Sequence, residues 1–325
     1  MSKTVIISNH GGPEVLELKE VKLERPGPQE VLIEHAAIGL NYIDIYHRTG
    51  LYPITLPSGI GSEGAGIIKE VGANVQNFKV GDRVSYAGSP LGAYSSERLI
   101  STKNLLIVPP SVDLDVAATL MIKGLTVYYL LHQTYPVKRG ETILFHAAAG
   151  GLGQMFCQWA KSLGCIVIGT VGSYKKFNIA KDNGCDHVIN YTKEDFAQRV
   201  LEITDGAGVP VVYDGVGKNT LKGSLECLKV RGTMVSFGNA SGPLADISIP
   251  KLIQPKGLYI TRPAMHHYLG DREELELGAK VLFEKIESGQ VKIKIFKKYK
   301  LNQVAKAHND LENRRIYGPS VIVPN

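Results

Sequence analysis

The sequence predicts an α/β chain of two domains: a rolled antiparallel β-barrel, then a doubly wound parallel sheet. Three observations carry that expectation. About the first 120 residues hold short alternating segments cut by turn residues. From Glu141 to about Pro263 single strands alternate with helices, the signature of right-handed crossovers. The last stretch is too short and too mixed to bury a core alone, so it is expected to return to the first domain. The boundaries read from this pattern are 1–124 with 264–325 for one domain and 125–263 for the other.

In chain order, the barrel strands are expected in TVIISN, EVLELKEVKL, EVLIEHAAIGL, EGAGIIKEVG, GDRVSYA and ERLISTKNLLIVP. GGP, RPGP, VGANVQNFKVGD and PPSVD separate them, each rich in Gly, Pro, Asn or Asp. Residues 59–66, GIGSEGAG, are too glycine-rich for a stable regular element, so that octet is shaped for close backbone approach. After Pro110 the periodicity turns helical, with Asp113 or Asp115 placed at a helix start. The parallel-sheet strands follow in TILFHA, CIVIGTV, HVINY, VPVVYDGV, GTMVSFG and GLYITRP. The helices between them begin near Leu152, Tyr174, Glu194 and Lys218. A helix (REELELGAKVLFEKIESG), a basic strand (KIKIFKKYK), a second helix (LNQVAKAHNDLENRR) and the strand PSVIVP complete the chain.

The most specific chemistry lies in TILFHAAAGGLGQMFCQWAKSLG. A strand runs into Ala147-Ala148-Ala149-Gly150-Gly151-Leu152-Gly153, and a helix starts within that turn. Small residues let the backbone approach a pyrophosphate, while the helix start supplies N–H groups and the positive end of the dipole. The turn from Ala147 to Gly153 is therefore the candidate pyrophosphate site. An NAD site usually places Asp or Glu at the end of the second strand to bind the ribose 2′-hydroxyl. Here that strand ends in Gly172-Ser173-Tyr174-Lys175-Lys176, with no acid to repel a 2′-phosphate. Gly172 and Ser173 are placed to hydrogen-bond such a phosphate, and Lys176 to supply charge, so NADPH is expected over NADH.

Composition narrows the remaining classes. At 44% hydrophobic and 21% charged the chain reads as ordinary globular protein, with no apolar run near the roughly 20 residues that span a bilayer. The N-terminus reads as a strand and turn rather than a signal peptide, which makes the cytoplasm the expected location. Cys157, Cys165, Cys185 and Cys227 form no C-x-x-C pair and suit buried thiols. The net charge of +6 is moderate, and KIKIFKKYK reads as an edge strand with one wet face more readily than as a nucleic-acid patch. His146, at the end of a strand, reads as a core histidine, and His266 and His267 have no visible metal partner.

Taken together, the barrel, the A-A-A-G-G-x-G turn and the returning C-terminus resemble the medium-chain dehydrogenase/reductase superfamily over essentially the whole chain. GLNYIDIYHRTGLYP, LGAYSSE, KGLTVYYLL, HAAAGGLGQ, VINY, VSFGN and YITRP resemble its NADPH-dependent quinone oxidoreductase branch, which includes the zeta-crystallins. The resemblance implies a GroES-like catalytic barrel and a Rossmann cofactor domain. It implies that Asn41, Tyr46 and Tyr52 line the nicotinamide end of the cleft as catalytic candidates. It adds Asn41, Thr126, Tyr129, Tyr191 and, within the glycine turn, Gly150, Gly151 and Leu152 to the cofactor contacts, with Phe237, Gly238 and Asn239 at a strand end and Arg262 and Arg314 beyond.

The zinc enzymes of the superfamily take a Cys near the position of Leu40 or Asn41 and a His from a Gly-His-Glu motif. This chain has Asn41 and Gly61-Ser62-Glu63, and Ala87 to Glu97 holds no cysteine, so no metal is expected. Without a Lewis acid the acceptor has to be electrophilic already, which fits quinones and α,β-unsaturated carbonyls. An enoyl-thioester reductase of the same fold and a non-enzymatic crystallin or RNA-binding role are the alternatives. The resemblance also implies a homodimer that joins sheet edges.

Overall fold

The computed structural model describes residues 1–244 and 247–324. The described chain divides into two compact units, Met1–Leu125 with Arg272–Glu287 and Ile293–Asn325, and Thr126–Asp271 with Ser288–Lys292.

The first unit opens with β1 (Ser2–Ile7), β2 (Glu17–Val21) and β3 (Glu30–Gly39). Helix α1 (Tyr42–Thr49), β4 (Ser58–Gly59), β5 (Glu63–Val71) and β6 (Arg83–Ala87) follow, then β7 (Glu97–Ser101) and β8 (Leu105–Ile107). β2-β1-β4 form one sheet, and β3, β5, β6 and β8 build the antiparallel core of a larger one, with β7 also paired to β3. β3 alternates inward Val31, Ile33 and His35 with outward neighbours, as period-2 patterning requires. Val31 and Ile33 join Val5, Ile7, Ile60, Ile68, Val84 and Tyr94 in one core. Each fully buried aliphatic side chain there contributes on the order of 1.5–3 kcal/mol.

Two short helices, α2 (Leu114–Ala117) and α3 (Met121–Tyr129), lead out of the barrel, and the division between units falls inside α3. The second unit contains β9 (Thr142–Phe145), α4 (Gly151–Ser162), β10 (Ile166–Val171), α5 (Phe177–Asp182) and β11 (His187–Asn190). It continues with α6 (Phe196–Ile203), β12 (Val209–Asp214), α7 (Leu221–Glu226), β13 (Leu228–Ser236), β14 (Tyr259–Thr261) and α8 (Met265–Tyr268). Its strands are parallel in the order β11-β10-β9-β12-β13-β14, and the sequence direction reverses between β9 and β12. That reversal is the switch point at which open α/β sheets bind ligands beyond the carboxyl ends of their strands.

The chain then supplies the first unit with α9 (Arg272–Glu287), β15 (Lys297–Lys300), α10 (Val304–Glu312) and β16 (Ser320–Val323). β16 pairs with β3 and with β15, which extends the barrel sheet. No helix of the described residues is long and apolar enough to cross a membrane.

Three expectations need correction. Residues 264–271, expected with the barrel, belong to the second unit, where the Tyr268 ring stacks on Tyr129 at 5.0 Å. Residues 288–292 also belong there, because the Gln158 side chain bonds both the N–H and the C=O of Lys292. The basic strand is shorter than its pattern: only Lys297–Lys300 is extended and paired, with Lys297 salt-bridged to Asp310 and Lys298 to Asp115.

Candidate active site

The segment after β3 turns at once into α1, and Asn41 is its N-cap with extended backbone (φ −134°, ψ 152°). Three residues on, Asp44 accepts the Asn41 backbone N–H at 3.1 Å, the reach-back of a capping box. The Asn41 side chain is bonded at both ends. Its Nδ2 donates to Glu63 Oε2 at 3.1 Å, and its Oδ1 accepts from the Lys123 ammonium at 2.6 Å. Lys123 also donates to the Leu40 carbonyl at 3.3 Å, and Glu63 Oε2 accepts the Ile122 N–H at 3.0 Å. Glu63 Oε1 accepts no hydrogen bond and stands 4.0 Å from the Lys123 nitrogen.

A second chain of polar groups leads away from Asp44. Ser62 donates to Asp44 at 2.7 Å and the Tyr94 hydroxyl donates at 3.0 Å. Tyr94 in turn lies 3.0 Å from His308 Nε2, while His308 Nδ1 faces the Arg48 guanidinium at 3.2 Å. Arginine only donates, so Nδ1 is the acceptor and Nε2 carries the proton. Arg48 is closed off by Glu312 at 2.6 Å.

Burial dominates the electrostatics of this cluster. It pushes the Glu63 carboxyl up to about 7 against the pull of Lys123, and the Asp44 carboxyl up to about 6 against its hydrogen bonds. Burial, helped by Arg48, holds the His308 imidazole down at about 3.

These contacts decide whether the cluster suits a zinc ion. The Ser62 hydroxyl is spent on Asp44, and an ammonium occupies the Asn41 oxygen where a dication would have to sit. No group of three or more His, Cys, Asp and Glu among the described residues is arranged to hold a metal. The residues do not fit zinc.

Of the other candidates in this unit, Tyr46 and Tyr52 are brought together. Their rings lie 5.1 Å apart, and the Tyr52 N–H bonds the Tyr46 carbonyl at 3.1 Å. Asn41 starts the helix that carries Tyr46. Arg314 lies in an exposed turn after α10 at φ +58°, and its charge lowers the Tyr42 phenol that burial raises.

In the second unit β9 ends below the glycine turn. Gly150 caps α4, and a side chain at Gly153 would come within 2.5 Å of the Ala147 carbonyl, so only glycine lets the helix sit this close to the strand. The first turn of α4 therefore opens its N–H groups at the switch point, a cradle for a pyrophosphate. Behind it His146 is fully buried and bonded at both nitrogens, to Thr170 at 2.8 Å and Ser224 at 2.9 Å, as a core histidine should be.

The adjacent strand end gathers Gly172, Ser173, Lys176 and Tyr191. A Cβ at Gly172 would meet the Tyr191 hydroxyl at 2.9 Å, and the Lys176 N–H bonds the Ser173 carbonyl at 3.1 Å. Lys176 is half-buried whereas Lys175 is exposed, which separates the two lysines that the sequence left side by side. Phe237, Gly238 and Asn239 follow β13, with Arg262 donating to Ser236 at 2.9 Å and to the Gly238 carbonyl at 3.0 Å. Thr126 is buried in α3, and Tyr129 packs on Tyr268. Cradle, acid-free strand end and lysine fit a phosphorylated dinucleotide.

Asp44, Lys123 and Ser62's bond to Asp44 were not singled out as site chemistry by the sequence. Asp44 had a local signal, an acid three residues after an Asn cap. Lys123 had a weaker one, a lone charge in an apolar helical run.

Comparison with known proteins agrees with this geometry. Residues 27–110 match the family model for the alcohol dehydrogenase GroES-like domain, and residues 151–284 match that for zinc-binding dehydrogenase. The chain is 50% identical to a quinone oxidoreductase of Pseudomonas aeruginosa over 100% of both chains. It is 44% identical to a 2-haloacrylate reductase of a Burkholderia species, covering 100% of this chain and 99% of that one. The solved structure of Escherichia coli quinone oxidoreductase complexed with NADPH superposes with a TM-score of 0.97 at 47% identity, covering 99% of this chain and 100% of that chain. With a GroES-like barrel, a Rossmann sheet and this similarity over its full length, the chain belongs to the quinone oxidoreductase branch of the medium-chain dehydrogenase/reductase superfamily.

Proposed function

We propose that this protein is an NADPH-dependent reductase of quinones and related electron-poor enones that works without a metal. The observation that carries the reading is the fate of the zinc-ligand positions. Asn41 is held by an ammonium and Ser62 by a carboxylate, in a chain that keeps the dinucleotide cradle. Bound NADPH supplies a hydride, and without a Lewis acid only an already electrophilic acceptor can take it.

The chain's own residues bind and orient. Gly150, Gly151 and Leu152 hold the pyrophosphate through backbone N–H groups at the start of α4. Gly172, Ser173, Lys176 and Tyr191 receive the 2′-phosphate, and the half-buried Lys176 supplies the charge. Thr126 and Tyr129 contact the cofactor from α3, and Phe237, Gly238 and Asn239 from the end of β13. Arg262 braces that last turn through Ser236 and Gly238, and Arg314 is the remaining contact on the family pattern. Tyr52 donates a hydrogen bond to the oxygen on which negative charge develops, Asn41 donates to that oxygen or orients the cofactor, and Tyr46 fixes the Tyr52 ring. The similarity to a 2-haloacrylate reductase supports extending the acceptors from quinones to activated alkenes. A homodimer in the cytoplasm completes the proposal, and sedimentation at the monomer mass would count against the dimer.

The test is the decay of NADPH absorbance on adding a small ortho- or para-quinone. Rapid, quinone-dependent oxidation is expected. Tight NADPH binding with no oxidation across quinones and enones would overturn the enzyme reading in favour of a binding role.

A further inference from the structure

An asparagine amide can ordinarily present either end to a ligand. In this protein that choice is closed. Lysine only donates, so the atom 2.6 Å from Lys123 Nζ has to be the Asn41 oxygen, and the nitrogen faces Glu63. A flipped amide would set NH₂ against the ammonium and oxygen against Glu63 Oε2, which accepts the Ile122 N–H, two repulsive contacts in place of two bonds.

The lock is itself rigid. Lys123 is 8% exposed and tied to the Leu40 carbonyl, and Glu63 is fully buried and tied to the Ile122 N–H. With one N–H given to Glu63, Asn41 has a single side-chain N–H left to offer, and the ammonium on its oxygen polarises it.

We propose that Lys123 is a positioning residue that makes Asn41 a one-way hydrogen-bond donor, so the ligand atom facing Asn41 is an acceptor, a role that a carbonyl oxygen fills in the proposed ligands. The inference rests on Asn41 as a ligand contact, as proposed above. The carbonyl has two possible sources, the acceptor and the carboxamide of the nicotinamide, and they share this chemistry.

A double-mutant cycle over Lys123→Met and Asn41→Ala tests the idea, read in two arms: the NADPH dissociation constant, and kcat/KM for a quinone. Lys123→Met is expected to cost about tenfold or more in one arm when Asn41 is present, on the scale of a lost oriented donor, and less than about twofold when residue 41 is alanine. A loss in the quinone arm assigns the carbonyl to the acceptor, and a loss in the NADPH arm assigns it to the cofactor; both support the proposal. Equal losses in the two backgrounds would overturn it, because Lys123 would then act without Asn41. So would no loss at all in a variant that melts like the parent.

Where Lys123→Met unfolds because Glu63 loses its counter-charge, the same cycle is run with Glu63→Gln throughout, which leaves no lone buried carboxylate at that position. Should the parent enzyme bind NADPH but reduce no quinone, the functional proposal falls, while the NADPH arm still decides the role of Lys123.

Discussion

Each unit buries a carboxylate at the heart of a polar network, and the two networks are built differently. In the second unit Asp214 ends β12 and accepts four hydrogen bonds. The Val216 and Gly217 N–H groups serve one oxygen, and the Thr220 and Ser224 hydroxyls serve the other. Ser224 spends its proton on Asp214 and so accepts from His146 Nε2, which leaves His146 Nδ1 to accept from Thr170. Every donor and acceptor named there is used, and the network ties β9, β10, β12 and α7 into one frame. In the first unit Glu63 keeps one oxygen without a hydrogen bond, and its carboxyl is raised to about 7. A saturated network makes scaffold. An unsaturated one beside an oriented amide stores electrostatic potential at a cost in stability, which is how functional sites differ from cores.

The largest effect should come from breaking the saturated side. Asp214→Ala strips the acceptor from four buried donors and should cost about 3–5 kcal/mol in denaturant unfolding, with the loss spread over the parallel sheet. A loss under about 1 kcal/mol would mean that the frame does not depend on this carboxylate.

The next effect should come from relieving the unsaturated side, and it carries a sign. The Glu63 pKa is higher folded (about 7) than its ordinary 4.5, so the native state holds a proton that the unfolded chain has released between those values. Its favourable contribution is complete below about pH 4.5 and is lost as pH rises through about 7. Wild type should therefore weaken relative to Glu63→Gln across that window, by at most about 1.4 kcal/mol per pH unit. His308 and His35, lowered to about 3 and 4, act in the opposite direction, since their contribution is lost as pH falls. Both are present in both proteins, so they cancel in the difference. Urea midpoints for the pair at pH 5 and pH 8 decide the matter, and a difference that stays flat or reverses would remove Glu63 as an electrostatic reservoir.

The smallest effect sharpens the comparison from outside both networks. Lys176 is half-buried just after β10 and is the charge proposed above for the 2′-phosphate. Lys176→Ala is expected to weaken NADPH about tenfold, or about 1.4 kcal/mol, and to leave NADH nearly unchanged. Titration of both nucleotides by fluorescence measures the ratio, and equal weakening would take the 2′-phosphate away from Lys176.

Much of the second unit was legible in the sequence because its rules are local. A strand, a run of small residues and a helix start sit within a dozen positions, and the missing acid after β10 is likewise read in place. Gly150, Gly151 and Leu152 lie at the start of α4, and Gly172, Ser173 and Lys176 just after β10. The barrel was legible as alternation and turns, but α1 was not read as a helix, although Asn41 and Asp44 carry the spacing of a capping box. The fate of residues 264–271 was hidden for another reason. Nothing local tells a crossover's last helix from the first residues of a return, and a ring stack between Tyr129 and Tyr268 settles it.

The octet GIGSEGAG shows the limit most clearly. Through its resemblance to the zinc enzymes the sequence determined that Ser62 stands where they have histidine, and by itself that no cysteine replaces the missing ligand, because ligand chemistry is a property of residue type. Only the tertiary structure decided what took the metal's place. Asn41, Asp44, Ser62, Glu63 and Lys123 lie on three separate segments, and hydrogen-bond directions among them exist only once the barrel has closed. Burial then sets their charges, and burial is a property of the fold rather than of any residue in it.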